Sequence, residues 1–250
     1  MAIHLRQICL ATADLDAASR LMEDVLGLPS VHEDPAVALF GLRNRLFRLG
    51  SAFLELVTPE KPGTAVARFL ERNGGDGGYM VITHVTGRAQ FDAIEARAGA
   101  AGVRTVFSHD ADDWRSRQFH PVDMGGSFLD IEWDEADDPA GKWAAAGGLH
   151  WCEPSGPDGA ILSASLAVAD PQATAGRWGG ILGIPAGADA SVPLADAMLR
   201  FGPAGGKGGL VSLTLRHADA EGVLARARKA GALAGPGRVA VAGMEFALAG

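Results

Sequence analysis

Several side chains with chemical capacity stand in contexts that make them candidates for a site. Glu55 interrupts the apolar run FLELV (Phe53–Val57). A carboxylate buried in a sheet is costly unless it is paired or ligated, so Glu55 is either a site residue or the partner of Arg43, Arg45 or Arg48. Asp130 and Glu132 alternate within FLDIEW (Phe128–Trp133), which puts both on one face of a strand; that face is either a site or a water-facing surface. In FHPVD, His120 has the chemistry of a general base or substrate contact with Asp123 as the carboxylate that orients it. The alternative is a turn histidine that caps the Pro121 loop. His84 reads as a packed or hydrogen-bonded core residue, and His32, His109 and His217 lie in or beside loops.

Other chemistries lack their motifs. The glycine-rich GPAGGKGG (Gly202–Gly209) has Gly208 where a phosphate-binding loop needs Ser or Thr after its lysine, and neither a GxSxG elbow nor an HExxH pair is present. The two cysteines, Cys9 and Cys152, have no CxxC spacing, which argues against a disulfide framework or a cysteine-rich zinc site. The chain has 250 residues, 48% of them apolar, and a net charge of −8. That is enough for one large domain or two ordinary ones. An acidic chain without a basic block argues against nucleic acid or an anionic membrane as partner. The opening MAIHLRQICLA carries Arg6 within its apolar run and lacks a signal-peptide layout, and no apolar run reaches a bilayer-spanning length. The expectation is a soluble, cytoplasmic protein.

The elements that must position these residues recur. Gln7–Asp14 (QICLATAD), Val81–Arg88 (VITHVTGR), Ser163–Asp170 (SASLAVAD) and Ser212–Asp219 (SLTLRHAD) each open as a strand and lead into a helical pattern. In the first unit, Asp14 suits a helix N-cap and Leu15, Ala18, Met22 and Val25 recur at helical spacing. Strands are expected at 36–42, 45–49 and 52–57, then a linking helix at 64–73 with Thr64 as cap. The second unit repeats the order, with strands at 79–86, 103–107, near 118–120 and at 127–133, and a charged loop at 109–115. Asp170-Pro171 suits the start of a helix in the third unit. The fold class is therefore α+β, with tandem βαβββ units. The domains are expected at residues 1–135 (a pair of units with the site), 136–158 (a Gly-, Pro- and Asp-rich linker) and 159–250 (an abridged pair). Trp151 in the linker is either a lid over the site or a docked side chain.

These repeats, with GSAFLELVTP (Gly50–Pro59) and GGSFLDIEW (Gly125–Trp133), resemble the vicinal oxygen chelate superfamily, which includes glyoxalase I, extradiol dioxygenases, methylmalonyl-CoA epimerase and bleomycin-resistance proteins. FLELVTP, RQFHPVDMGG (Arg117–Gly126) and the half that begins near GPDGA look like a glyoxalase-like group within it. The resemblance covers most of the chain. It implies the glyoxalase/bleomycin-resistance/dioxygenase fold, in which paired units curl into a cup around a ligand, and it leaves the reaction open because the scaffold hosts many. Alternation then directs Gln7, Cys9 and Ala11, Phe53, Glu55 and Val57, and Phe128, Asp130 and Glu132 into the cup. Cys9 has no evident partner base, which favours pocket lining over a nucleophile.

The resemblance also implies metal-ligand places at Gln7, Glu55, Val81 and Asp130. Val81 stands where a histidine is usual and cannot coordinate. Gln7, Glu55 and Asp130 would form an oxygen-only set suited to a hard divalent cation such as Mg or Mn. The cofactor expectation is thus none or one divalent metal of unknown identity. In the second pair the same places are Ser163, Arg200, Ser212 and Ala247, which reads as scaffold or dimer surface, with an anion site as the other option. Catalytic roles fall to Glu55 and His120, and substrate contacts to Gln7, Cys9, Phe53, Phe128, Glu132 and Asp123. Two functions follow. One is lyase or isomerase chemistry on a small oxygenated metabolite, with Glu55 as base or metal ligand. The other is metal-free small-molecule binding of the drug-sequestering kind. Dioxygenase chemistry fits less well because it wants two histidines and a carboxylate on iron. The implied partners are a small-molecule ligand and a second copy of the chain in a homodimer.

Overall fold

The computed structural model describes residues 2–148 and 156–249, so Trp151 and Cys152 lie outside the described residues. The first unit runs β1 (Ile3–Ala11), α1 (Leu15–Asp24), β2 (Ser30–His32), β3 (Leu42–Leu49) and β4 (Ala52–Pro59). After α2 (Ala65–Asn73), the second runs β5 (Gly77–Val85), α3 (Arg88–Ala100), β6 (Thr105–Asp110), β7 (Trp114–Phe119) and β8 (Phe128–Asp134). The third has β9 (Gly159–Val168), α4 (Pro171–Leu182), β10 (Ser191–Pro193) and β11 (Met198–Pro203). The fourth has β12 (Gly209–His217), α5 (Ala220–Ala230), β13 (Leu233–Gly235), β14 (Arg238–Val241) and β15 (Met244–Ala249). This is the α+β fold of repeated βαβββ units, with one strand fewer in the third unit and short hairpin strands in the fourth. Among the described residues no helix is long and apolar enough to cross a membrane.

The helix starts follow local chemistry. Asp14 accepts the Ala17 N–H at 2.9 Å, Thr64 the Ala67 N–H at 3.0 Å and Asp170 the Ala173 N–H at 2.9 Å, each satisfying a donor that the helix leaves free. Two expected segments differ. Residues 35–40 form a 3-10 turn instead of a strand, because Asp34 caps the Ala36 N–H and Pro35 favours the turn, while Gly41 ends it at φ 70°. Residues 109–115 are mostly strand rather than loop: Ser108, His109 and Asp110 pair with Arg117, Ser116 and Arg115. The charges that suggested a loop sit on an edge hairpin, where Arg115 and Arg117 bind Asp110, Asp92 and Glu95.

The strands form one sheet ordered β10-β11-β9-β12-β5-β1-β4-β3-β2, with β8-β7-β6 branching from β5 and β15-β14-β13 from β12. The halves join where Leu210 of β12 pairs with Gly78 of β5. Gly78 is required there: a Cβ would come within 2.4 Å of the Leu210 carbonyl oxygen. Trp178 Nε1 reaches across to the Met124 carbonyl at 2.7 Å, and Arg97 Nε to the Ile181 carbonyl at 2.8 Å. The outer sheet face packs Ile8, Leu10, Leu54, Leu56, Leu129 and Ile131 against the helices in the main core. The inner face carries a separate cluster of Cys9, Phe53, Val57, Tyr79, Met80, Ile82 and Trp143. Cys9, Val57, Tyr79, Met80 and Ile82 of this cluster form the floor of the cup.

Candidate functional site

The cup is a cavity of about 1180 Å³ lined by both N-terminal units. Of the residues expected there, Gln7, Cys9, Glu55, His120, Phe128, Asp130 and Glu132 line it, whereas Phe53 and Asp123 do not. Strand register explains the assembly. Glu55 on β4 stands beside Cys9 on β1, and Asp130 on β8 beside Ile82 on β5.

Glu55 is 8% exposed and held by neutral donors. Asn44 Nδ2 donates to Oε1 at 2.7 Å, Gln7 Nε2 donates to Oε2 at 2.9 Å, and the Cys9 thiol adds a third bond. Burial pushes the carboxyl above its ordinary range, and these three donors pull it partly back. The arginines proposed as partners are engaged elsewhere. Arg43 pairs with Glu60, Arg45 with Glu33 and Asp16, and Arg48 Nε donates to the Gly50 carbonyl. Alternation decides this for Arg43 and Arg45, which face outward while Asn44 and Leu46 share the inner face of β3; Arg48 has the inner parity but lies two residues beyond Leu46, the residue that pairs with Glu55.

Across the cup, Asp130 accepts from Ser116 Oγ at 3.0 Å and Glu132 from Trp114 Nε1 at 2.9 Å. Burial raises the Asp130 carboxyl to about 8 against hydrogen bonds from Ser116 and Gln118, with the negative charge of Glu55 adding to the rise. Burial, followed by the neighbouring Asp130, pushes Glu132 well above the carboxylate range. Asp130 is therefore protonated at neutral pH and can donate. Asn44, Ser116, Gln118 and Trp114 escaped the sequence reading. For Ser116 and Trp114 the cause is the missed strand; for Asn44 the signal was its inward parity between two arginines.

Beneath the cup, a bulge changes the direction of β1. Leu5 and Ile8 both pack in the outer core, leaving two residues, Arg6 and Gln7, where alternation allows one. Gln7 then bridges Glu55 to the indole of Trp143, whose Nε1 donates to Oε1 at 3.0 Å. Arg6 is 1% exposed, with its guanidinium 5.4 Å from the Trp143 ring and 5.7 Å from that of Phe53. Phe53 thus belongs to the layer under the floor instead of the substrate surface. His84 is fully buried with its ring 5.2 Å from Trp143, and burial lowers it to about 4. Trp143 lies in the stretch expected to be linker, and its burial could not be read from Gly, Pro and Asp content.

His120 is not oriented by Asp123. Arg104 takes the Asp123 carboxylate at 2.7 and 2.8 Å and holds it well below the usual range. The His120 Nδ1 accepts the Val122 N–H at 3.1 Å, so a neutral ring carries its proton on Nε2 and serves as a donor. A general-base role for His120 does not fit this geometry.

The donor set does not fit a divalent metal. The Gln7 oxygen that would ligate is taken by Trp143, and amide N–H groups of Asn44 and Gln7 point at the Glu55 oxygens where a cation would sit. Val81 lies in the outer core, and the β5 residues facing inward beside Cys9 and Gln7 are Met80 and Ile82, which offer no oxygen or nitrogen ligand. Among the described residues no three His, Cys, Asp or Glu side chains gather as a metal-binding group.

With 19% identity, a 4-hydroxymandelate synthase variant from Streptomyces coelicolor covers 93% of this chain and 76% of its own, with a TM-score of 0.69. Methylmalonyl-CoA epimerase from Mycobacterium tuberculosis aligns at 28% identity over 52% of this chain and 87% of its own, with a TM-score of 0.45. No curated protein matches the chain. The model of a family described as a glyoxalase-like domain matches residues 8–182, which hold most of the cup lining, Trp143 and the third unit as far as α4. The chain therefore belongs to the glyoxalase-like domain family, within the vicinal oxygen chelate superfamily.

Proposed function

We propose that the N-terminal pair, residues 1–135, binds a small oxygenated molecule in the cup and catalyses proton transfer next to its carbonyl, as an isomerase or lyase that needs no metal. The observation that carries this reading is the presence of two differently held carboxyls in one cavity. Glu55 is held by Asn44, Gln7 and Cys9, while Asp130 across the cup is raised to about 8 and protonated. Glu55 takes the proton from the carbon beside the carbonyl, and the Asp130 O–H donates to the carbonyl oxygen as charge develops there, giving a neutral enol. Return of the proton to either carbon or face completes an isomerisation; loss of a leaving group completes an elimination. Two carboxyls held in different environments are the usual means of dividing acid and base roles.

A second reading, binding without turnover, is favoured by the saturation of Glu55: each of its oxygens already accepts an amide N–H. Solvent-deuterium exchange separates the two. Protein incubated with chelator in D₂O with a panel of α-substituted ketones and acids, followed by NMR, exchanges the α-proton of its substrate in the first reading, and Glu55→Gln abolishes exchange. Ligand binding without exchange in any panel member would leave the binding role alone.

A further inference from the structure

We propose that the ligand is an amphiphile whose anionic group, a carboxylate or a phosphate, stays at the mouth of the cup between Arg68, Arg72 and Lys207. Its neutral oxygenated end rests on the Glu55–Asp130 floor. This inference rests on the reading of the cup as a ligand site and specifies the class of molecule.

The charge arrangement of the cavity supports it. Glu55, Asp130 and Glu132 are buried in the lining, and Arg6, the cation beneath them, does not line the cavity. An anionic group on that floor would lose its water and meet carboxyls that burial already opposes ionising. The cationic groups are exposed where the acids are buried. Arg68 and Arg72 on α2, and Lys207 on the turn between β11 and β12, line the same cavity and are exposed. Arg68 donates to the Gly63 carbonyl, and no carboxylate among the described residues pairs with any of the three. Asp34, the remaining acid of the lining, is occupied in capping the Ala36 N–H. In a chain of net charge −8, three exposed cations that line one cavity and pair with no carboxylate among the described residues form a local field that favours an anion. Phe40 and Val122, 53% and 74% exposed, also line the cavity and give an apolar chain a path inward. The inference assigns work to the C-terminal half, which supplies Lys207 and places it over a cup otherwise built by the first two units.

The test uses the full chain and a neutral fluorescent probe, N-phenyl-1-naphthylamine, displaced in turn by octanol, octanoate and octyl phosphate. At low salt, octanoate or octyl phosphate should displace the probe at about tenfold lower concentration than octanol, and the better of the two identifies the anion. The preference should fall to about twofold or less in the Arg72→Gln/Lys207→Gln double variant and at about 0.5 M salt, where exposed charges are screened. The Arg238→Gln variant, which alters a surface ion pair with Glu245, should keep it. Equal displacement by all three, or a preference that survives the double variant, overturns the assignment of the mouth while leaving the cup as a ligand site. Absence of any displaceable probe from the wild type removes the cup reading and this inference with it.

Discussion

The two halves use the same unit to different ends, and burial along their strands shows it. Every residue of β5 is buried, as are nearly all of β1, β4 and β8, because helices cover one face and the inner cluster with Val66 of α2 and Trp143 packs on the other. In β9 and β12 burial alternates, so the outer face packs on helices while the inner face stays partly open. Side chains differ in step. The N-terminal inner face carries Gln7, Cys9, Glu55, Asp130 and Glu132, whereas β9 has Ser163 and Ser165 in the places of Gln7 and Cys9, and β11 has Arg200 in that of Glu55. Ser163 and Thr214 bond each other at 3.0 Å, and Arg200 sits 3.8 Å from Asp189 at the surface. A fold that buries both faces of a sheet can sustain carboxyls with altered proton affinity; one that leaves a face open cannot, because water restores ordinary ionisation.

That contrast can be broken by substitution. The largest effect is expected from Glu55→Gln, which should lower solvent-deuterium exchange of a substrate by about 10²–10⁴-fold, the range of a lost general base, with ligand affinity nearly unchanged. Next come the two buried indoles. Trp143→Ala and Trp178→Ala should each cost about 3–5 kcal/mol in denaturant unfolding. Only Trp143→Ala should also weaken binding of a cup ligand, since its indole holds Gln7 against Glu55 while Trp178 bonds the Met124 carbonyl. Equal loss of binding in both would erase the functional distinction between the halves.

A smaller effect concerns pH. Asp130 has a proton affinity of about 8 in the fold, against an ordinary value near 3.8. The folded chain therefore binds this proton more tightly, and stability is expected to fall as pH rises from about 4 through 8. Thermal unfolding across that range should show the decline in the wild type and a shallower one in Asp130→Asn. An unchanged slope would mean that Asp130 ionises normally. The smallest effect is expected in the C-terminal sheet, where Ser163→Ala should cost about 1 kcal/mol through one hydroxyl bond, with no change in pH dependence.

Much of this architecture was legible in the chain. The four strand-to-helix openings placed β1, β5, β9 and β12, and Asp14, Thr64 and Asp170 marked helix starts that their side chains do cap. Glu55, Asp130 and Glu132 were visible as acids in apolar strands. Where the reading failed, a local signal had two explanations. Charges at 109–115 suit a loop or an edge hairpin equally, and Ala-Val-Ala-Leu-Phe suits a strand until Asp34 and Pro35 start a turn.

Period-two alternation and capping chemistry act within a few residues, so the units, the inner-face acids and the poverty of the second pair are written in the chain. The tertiary structure decided which partners those acids meet. Asn44 reached Glu55 through β3–β4 register, Trp143 reached Gln7 across more than half the chain, and the β1 bulge set Arg6 under Phe53. It also turned the expected His120–Asp123 pair into an Arg104 clamp. These are contacts between strands and segments distant in sequence, and no periodicity along one segment specifies the side chain that will face it from another.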